Sequence, residues 1–433
     1  MKRALILAAA LSFVAAPTLA TAAPYCDALS SKETLPKKYQ KRGPFYSDSS
    51  SGWIIGDDQL RADFSVTDEV THLWQRISEE FAAQGVKLVV MAPPPRPLSA
   101  TSEIRSAAGV PSTYDADRTA KSYSAYIEAL NEAGLQSPDL LDVAEKTGAS
   151  FYFQRDTHWT PTGAAASASA LAQTIGMTGT NNALIFDEEY SEKGSLSTVA
   201  AKVCGERPAA ETVPAPTYAK AGDAASLLGD EAANGPAIAL VGTSFSNRYQ
   251  NDAYRVADAL AHFTGGSVEN LSVSGGGMTG AMEAFVRSSD LSAYDVVVWE
   301  SPYTEPLTNI SGLRQILGAL LSNRSTAKGT AQTVNLSDKW ISIDASPEMA
   351  KGQALTLQIA GVNTGQLHVE LIDGKNEKTR IKLRKSDRVA QNMRSDVWAV
   401  ALDRIDMSKI TRIKFRLKGA KSAETATLRS HTF

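Results

Sequence analysis

A serine just after an apolar run is the first residue whose type and position suggest catalysis. Ser244 belongs to the segment Gly-Thr-Ser-Phe-Ser, just after the apolar residues 237–241. A helical stretch comes next, so the pattern predicts a strand, a tight turn and a helix. In an α/β domain such a turn lies where ligands bind, and the Ser244 N–H could stabilise an oxyanion there. The alternative is that Ser244 or Ser246 only caps the helix.

A histidine with a carboxylate two residues before it is the matching base. Asp156 and His158 belong to the segment Asp-Thr-His-Trp and follow residues 149–153, which we predict to be a short strand. An aspartate at this spacing can orient an imidazole and stabilise its charged form, as a serine nucleophile requires. The alternatives are a histidine that only binds the start of a helix, or a metal site. We expect no metal, because a third good ligand is not evident.

Two further segments follow predicted strand ends. The glycine run 275–277 comes after an apolar strand, and the N–H of Gly276 could complete the oxyanion hole with that of Ser244, or the run could be a plain tight turn. Glu300 follows another apolar strand and could orient a ligand or cap a turn. Near this predicted site, the candidate substrate-binding residues are Trp159, Glu300 and Tyr303.

A parallel sheet is needed to bring these segments together. Apolar runs at 86–91, 237–241 and 296–299 alternate with stretches of helical periodicity. Continuous apolar strands between amphipathic helices indicate a parallel sheet covered on both faces, which is a three-layer α/β domain. We assign residues 23–330 to this domain. Because the carboxyl ends of parallel strands share one edge, Ser244 and the Asp-Thr-His-Trp segment are expected to converge there.

The pattern changes after about residue 330. Apolar and polar residues alternate in short runs separated by turns, which predicts a small antiparallel β-sandwich over residues 331–433. The formal net charge of the chain is -3, from 44 lysine and arginine against 47 aspartate and glutamate residues. Residues 333–433 hold 18 basic and 11 acidic residues, so an acidic body carries a basic domain. The total charge therefore does not exclude a polyanionic ligand.

A run in which basic residues alternate with apolar residues gives the basic domain its own candidate site. A strand would place four basic residues on one face, and Trp340 and Trp398 could add flat stacking surfaces. The alternative is an edge strand that uses its charges to avoid aggregation. Nucleic acid is not expected as the polyanion, because the chain carries an export signal. The basic residues of this run are Arg412, Lys414, Arg416 and Lys418.

The beginning of the chain predicts export. Residues 1–22 combine a charged start, a short apolar run and a small-residue cleavage site, as in a secretory signal peptide. No later segment has 18 apolar residues in a row, so we expect a soluble mature protein. Cys26 and Cys204, the two cysteines, are expected to form one disulfide in an oxidising compartment. Composition also excludes a disordered chain and a small disulfide scaffold, since 43% of the residues are hydrophobic.

The Asp-Thr-His-Trp and Gly-Thr-Ser-Phe-Ser segments, in this order after an export signal, resemble the alginate O-acetyltransferase family of AlgX and AlgJ. Trp-Glu-Ser-Pro at 299–302 is similar to the family's Trp-Glu-(Ile/Phe)-Pro segment, with Ser301 as a departure. A basic β-sandwich after the catalytic domain, and a cysteine pair in the first half, are similar to AlgX. The chain has no cysteine after Cys204, where AlgX has a second cystine.

The resemblance implies an SGNH-hydrolase-like fold with Ser244 as nucleophile, His158 as base and Asp156 as its orienting acid, without a cofactor. It implies a periplasmic enzyme that acetylates an acidic exopolysaccharide such as alginate, bound by a C-terminal carbohydrate-binding module. The implied partners are a membrane-bound O-acyltransferase as acetyl source and other polysaccharide secretion proteins. The alternatives are an acetyl-polysaccharide esterase with the same triad, and a non-catalytic polysaccharide-binding scaffold of a secretion complex.

Overall fold

The computed structural model describes residues 24–177, 184–218, 235–324 and 331–432. The predicted signal peptide, residues 1–22, lies outside these ranges. None of the helices in the described ranges is both long enough and apolar enough to cross a membrane.

The α-helices of the described residues lie in the N-terminal part, before residue 325. Their bounds are α1 (Asp57–Leu60), α2 (Asp68–Ala82), α3 (Ser102–Ala107), α4 (Ala116–Glu132), α5 (Leu140–Thr147), α6 (Pro161–Thr174), α7 (Ser195–Cys204), α8 (Val256–Thr264), α9 (Gly277–Ser288) and α10 (Ile310–Arg324). The strands of this part are β1 (Phe45–Ser47), β2 (Ile54–Gly56), β3 (Lys87–Met91), β4 (Ile185–Glu192), β5 (Glu211–Thr217), β6 (Ala237–Val241), β7 (Ser267–Asn270) and β8 (Val296–Glu300).

A four-stranded parallel sheet forms the centre of this part, in the order β3-β8-β6-β7. Every residue of β8 is buried, as expected for an apolar strand covered on both faces. Helices α2, α9 and α10 pack together in one group, and α5, α6 and α8 pack together in another. The predicted α/β architecture is therefore confirmed. The strand predicted at 149–153 is wrong, because Gly148–Ser150 is a 3-10 turn and Tyr152 makes only an isolated bridge to Trp159.

The C-terminal part is a sandwich of two four-stranded antiparallel sheets, ordered β10-β15-β12-β13 and β14-β11-β16-β9. Apolar side chains from both sheets form its core, which confirms the prediction from alternating residues. Its strands are β9 (Gln332–Leu336), β10 (Ile341–Asp344), β11 (Ala354–Ile359), β12 (Gly365–Asp373), β13 (Lys378–Lys385), β14 (Val397–Ala401), β15 (Ile410–Lys418) and β16 (Glu424–His431).

Side chains of α10 join the two parts by covering the free edge of β13. The buried Gln315 accepts from the Arg384 N–H at 2.9 Å and donates to the Arg384 carbonyl at 2.8 Å, as a neighbouring strand would. Ser311 accepts from the Lys382 N–H at 3.1 Å. These bonds protect an edge strand and hold the sandwich against the α/β part. The predicted boundary lies between residues 330 and 331. It borders residues 325–330, which are outside the described ranges, so the domain boundaries stay predictions.

The N-terminal arm is tied to α7. A disulfide joins Cys26 to Cys204, the last residue of α7, as predicted from the cysteine count. Beside it, apolar residues of the arm and of α7 form a small separate cluster that includes Leu29, Phe45 and Leu196. The arm is therefore fixed both by a covalent bond and by burial of apolar surface.

Candidate active site

Ser244 lies in the loop after β6, and this loop is bound to the buried carboxyl of Glu300. Thr243 donates to Glu300 through its N–H at 2.6 Å and through its hydroxyl at 3.0 Å. Gly242 is required here, because a Cβ at this position would lie 2.6 Å from the Glu300 Cβ. Glu300 is almost completely buried, so the prediction that it binds substrate is wrong. Its carboxyl instead holds the serine loop through Thr243.

No helix begins directly after the serine, so the alternative that Ser244 or Ser246 caps one is wrong. The next α-helix of the described residues, α8, starts at Val256. Asp252 accepts from the N–H groups of Val256 and Ala257 at 2.8 and 2.7 Å, and thereby satisfies the start of that helix. The side chain of Ser244 is left free for other contacts.

A tight turn between Tyr152 and Trp159 carries the base. The indole N–H of Trp159 donates to the Phe245 carbonyl at 2.9 Å, which ties this turn to the serine loop. Trp159 is fully buried, so it supports the site from inside and the prediction that it binds substrate is wrong. The turn ends where Thr160 accepts from the Gly163 N–H at 3.0 Å and so caps α6, as its position before a proline suggests.

Ser244, His158 and Asp156 form a continuous chain of contacts. His158 Nε2 lies 2.7 Å from Ser244 Oγ, and His158 Nδ1 contacts Asp156 Oδ1. The backbone N–H of His158 donates to the same carboxylate oxygen at 3.0 Å. A carboxylate at Nδ1 places the ring proton there, so Nε2 is left to accept the hydroxyl proton of Ser244.

The second oxygen of Asp156 is also fully bound. It accepts from the Ser195 N–H at the start of α7 at 2.5 Å and from Arg248 Nη2 at 2.9 Å. Burial alone would raise the pKa of Asp156, but the charges of His158 and Arg248 and these hydrogen bonds hold it well below its usual range. Asp156 therefore stays ionised at neutral pH, the state in which it can stabilise a charged imidazole.

The oxyanion donors differ in part from the prediction. No acceptor for the Ser244 N–H is found within the described ranges, which leaves this group free to bind an oxyanion. The Gly276 N–H is not free, because it donates to the Val273 carbonyl at 2.9 Å within the turn. The prediction that Gly276 stabilises the oxyanion is therefore wrong. The glycines at 275 and 277 serve the turn itself, since both have positive φ angles, of 74° and 71°.

Ser244 and His158 open into a cleft of about 1130 Å³ between the two parts of the chain. Tyr303 and Arg248 line the cleft on the α/β side. Tyr303 is almost completely buried, and its hydroxyl accepts from Gln59 Nε2 at 2.7 Å, so its part in binding a substrate stays a prediction. The sandwich contributes Lys382 and Arg384 of β13 to the same cleft. A bound molecule could therefore touch both parts of the chain at once.

The predicted binding residues of the sandwich divide into two groups. Trp398 is fully buried in the sandwich core, so the prediction that it offers a stacking surface is wrong. Trp340, the other predicted tryptophan, is 40% exposed, with its ring 6.3 Å from that of His368. The four basic residues of β15 point away from the core, as the alternation indicated. Because β15 lies between β10 and β12, the alternative of an edge strand is wrong.

Comparison with known proteins identifies the family. The family model described as "SGNH hydrolase-like domain, acetyltransferase AlgX" matches residues 50–303, which include both loops of the candidate triad. The chain belongs to the AlgX family. Its sequence is 28% identical over 316 residues to the alginate biosynthesis protein AlgX of Pseudomonas syringae pv. tomato, and 30% identical over 285 residues to that of Pseudomonas aeruginosa.

These AlgX matches cover 70% and 63% of this chain, and they span 64% and 58% of the relatives' own lengths. A probable alginate O-acetylase, AlgJ of Azotobacter vinelandii, is 26% identical over 271 residues. The solved structure of Pseudomonas aeruginosa AlgX has the same fold. It superposes with a TM-score of 0.69 at 21% identity, over 94% of this chain and 100% of that chain.

Two charged residues of this AlgX-family site lie outside the motifs of the sequence. Arg248 comes four residues after Ser244, and Glu192 ends β4, far away in the sequence. No motif marks either residue. Only the fold brings Arg248 Nη2 to 2.9 Å from Asp156 and to 3.6 Å from Glu192.

Glu300→Gln tests the support beneath the serine loop of this AlgX-family protein. We expect the amide to keep the serine loop in place, because Glu300 Oε2 alone already accepts from both the N–H and the hydroxyl of Thr243, and an amide oxygen can do the same. Burial raises the pKa of Glu300 from 4.5 to about 7, despite the hydrogen bonds from Thr243 that lower it. The folded protein thus holds a proton that the unfolded chain releases above about pH 4.5. The wild-type free energy of unfolding, relative to Glu300→Gln, should therefore fall as pH rises from 4.5 to about 7.

Denaturant unfolding at several pH values measures this difference. The exposed Glu145→Gln on α5 is the control, and we expect its stability to follow that of the wild type at every pH. Parallel curves for wild type and Glu300→Gln would show that Glu300 does not change its protonation on folding.

Proposed function

We propose that the protein transfers acetyl groups to hydroxyls of an acidic exopolysaccharide of the alginate type, through an acetyl-serine at Ser244. The observation that carries this proposal is the Ser244–His158–Asp156 contact chain at the floor of a cleft that a basic sandwich completes. The names of the relatives point to the same pathway, since they are an alginate biosynthesis protein and a probable alginate O-acetylase.

In the first half-reaction Ser244 Oγ attacks the acetyl carbon of the donor, and His158 Nε2 takes the hydroxyl proton. The oxyanion of the tetrahedral intermediate accepts a hydrogen bond from the Ser244 N–H. When the intermediate collapses, the donor's leaving group departs with the proton from His158 and the acetyl group stays on Ser244. Asp156 stabilises the charged imidazole throughout, and no cofactor or metal takes part.

In the second half-reaction a sugar hydroxyl gives its proton to His158 and attacks the acetyl carbon. Ser244 leaves and recovers the proton, so the acetyl ester now belongs to the polymer. Water can attack in place of the sugar, and transfer then becomes hydrolysis. The outcome depends on how well the cleft holds the acceptor hydroxyl near Ser244, because positioning raises its effective concentration.

The outer face of the sheet β10-β15-β12-β13 supports an anionic acceptor. His368 of β12 pairs with Arg416 of β15 on one side and with Lys382 of β13 on the other, so basic side chains continue across the face. At β13 this face reaches the cleft through Lys382 and Arg384. A polyanion on the sandwich would thus be led toward Ser244, while Trp340 offers a sugar ring an exposed aromatic surface.

We place the protein in the periplasm, where the signal peptide would deliver it and where the Cys26–Cys204 disulfide is stable. An acetyl group made inside the cell must cross the membrane, so the donor partner is a membrane-bound O-acyltransferase. Other proteins of polysaccharide secretion would bring the polymer to the cleft.

The test supplies the mature protein with an acetyl donor, 4-nitrophenyl acetate, in the presence and absence of deacetylated alginate. Mass spectrometry of peptides detects acetyl-Ser244, and NMR detects acetyl esters on the polymer. We expect both, with less free acetate per donor consumed when polymer is present. Equal acetate release with no acetylated polymer would identify an esterase. No acetyl-Ser244 and no turnover would leave a non-catalytic binding scaffold.

Neutralising the basic face should weaken acceptor use without affecting acylation. For Lys382→Gln with Lys414→Gln we expect the KM for the polymer to rise roughly tenfold at low salt, because two contacts with a polyanion are lost. Hydrolysis of the small ester should be unchanged. Lys421→Gln removes an exposed charge from a turn of the same sandwich and should leave KM within about twofold. An unchanged KM in the double variant, at any salt concentration, would contradict the polyanion role.

A further inference from the structure

The carboxylate that orients the candidate base is held by an arginine, and that arginine is held by a second carboxylate. We propose that Arg248 and Glu192 form a charge-compensated clamp on Asp156, in which Arg248 is a positioning residue for the carboxylate and Glu192 offsets its charge. The inference rests on the proposed function, because it concerns how His158 is tuned as the base for Ser244.

The contacts of Arg248 define the clamp. Its Nη2 donates to Asp156 Oδ2 at 2.9 Å and lies 3.6 Å from Glu192 Oε1. The guanidinium also lies over the Tyr249 ring, 4.3 Å from the ring centroid. Asp156 and Glu192 have fully buried side chains, and the Arg248 side chain is only 14% exposed. These charges therefore act on one another with little screening by water.

Glu192 is built into place by tyrosines. Tyr249 donates to its Oε1 at 2.6 Å, and Tyr254 and Tyr190 donate to its Oε2 at 3.0 and 3.3 Å. The Gly194 N–H adds a fourth bond at 2.9 Å. Both oxygens of this buried carboxyl therefore face hydrogen-bond donors, and Oε1 also lies beside the Arg248 guanidinium. In the clamp, Glu192 is the acidic partner of Arg248.

The groups facing His158 show why this charge matters. Its ring contacts Asp156 and Ser244, and it packs against the rings of Phe245 and Tyr254. Thr157 contributes a hydroxyl 3.4 Å from Nδ1.

Three other charged groups act on the Asp156 carboxylate or on its partners. They are Arg248 at its Oδ2, Glu192 behind Arg248, and the buried guanidinium of Arg96, which acts through space. An arginine placed on the orienting carboxylate would by itself oppose a positive charge on His158. Glu192 cancels much of this opposition, so His158 can still accept the proton of Ser244. The clamp therefore fixes the geometry of Asp156 without weakening the base.

Opposite effects on the pH profile test the clamp. The acid limb of kcat/KM for 4-nitrophenyl acetate reports loss of a proton from His158 in the free enzyme. Arg248→Met removes a positive charge, so the midpoint of the limb should move to higher pH by about one unit, with at least a tenfold lower plateau from the loosened carboxylate. Glu192→Gln keeps the shape but removes a negative charge, so the midpoint should move to lower pH by a similar amount. The double variant should lie between the two.

A second arginine–glutamate pair provides the matched control. Arg255 immediately precedes α8, and its Nη2 lies 2.6 Å from Oε2 of Glu188 in β4. Among the described residues, neither member of this pair makes a hydrogen bond or ion pair with Asp156 or Glu192. Arg255→Met and Glu188→Gln should leave the midpoint within about 0.2 pH units, because a half-exposed pair acts weakly at a distance. Thermal unfolding of every variant separates a shifted base from a misfolded protein.

The outcomes distinguish this inference from the proposed function. If Ser244→Ala retains turnover of the ester, the serine chemistry itself is wrong. If Ser244→Ala abolishes turnover but the midpoints of Arg248→Met and Glu192→Gln stay in place or move together, the clamp is wrong and the serine chemistry stands. Should Arg248→Met fail to fold, Glu192→Gln alone decides, since an unmoved midpoint there also overturns the clamp.

Discussion

Ser244→Ala is expected to lower the turnover of an acetyl ester roughly ten-thousand-fold, and to abolish acetylation of the polymer. Among the described residues, Ser244 has the only side-chain hydroxyl within hydrogen-bonding distance of His158 Nε2, so no second nucleophile replaces it. Binding of the polymer should be unchanged, because the basic face of the sandwich is untouched. Rates of nitrophenol release and NMR of the polymer measure the two effects.

Ser246→Ala is the matched control for the nucleophile. Ser246 belongs to the same loop, but its side chain is buried and makes no contact with His158. We expect its rate to fall less than about tenfold, through small changes in loop packing. If both serine variants retained wild-type rates, the contact chain of Asp156, His158 and Ser244 would not be the catalytic machinery.

Removal of the disulfide is expected to have the largest effect on stability. The bond between Cys26 and Cys204 closes a loop of 178 residues, for which the chain-entropy model gives up to roughly 5 kcal/mol. For Cys26→Ser with Cys204→Ser we expect the free energy of unfolding to fall by about 3 kcal/mol or more. Activity should also fall at raised temperature, because α7 ends at Cys204 and begins with the Ser195 N–H that binds Asp156.

Denaturant unfolding of the wild type with and without a reductant provides the comparison for this variant. Reduced wild type and the double serine variant should have the same stability, since both lack only the cross-link. A loss below about 1 kcal/mol would show that the apolar cluster of Leu29, Phe45 and Leu196 already holds the arm without the cross-link.

Local pattern was sufficient for the architecture and for the three residues of the contact chain. Continuous apolar strands at β6 and β8 can be stable only when covered on both faces, and alternating residues after 330 can be stable only with one face buried. Ser244 and His158 were found because each follows an apolar run in a short motif. The predicted position of His158 was wrong, however, since it lies in the turn between Tyr152 and Trp159 and not at the end of a strand of the central sheet.

Residues whose role depends on distant neighbours were misread. Glu300, Trp159 and Trp398 have side chains that suit a binding site, but each is buried and supports other residues. Gly276 has no side chain to shield its N–H, but this group already donates to the Val273 carbonyl within its own turn. From one sequence, a side chain that touches a ligand and one that holds a loop look the same, because the difference lies in which way the fold turns it.

The sequence by itself determined the two kinds of sheet, the cysteine pairing and the identity of a serine, a histidine and an aspartate suited to acyl transfer. These depend on local periodicity, on a count of two cysteines and on motifs a few residues long. The tertiary structure alone decided that Arg248 and Glu192 act on Asp156, and that β13 brings basic residues into the cleft of Ser244. Contacts of this kind join segments far apart in the chain, and their energy comes from burial and charge that only the folded state creates.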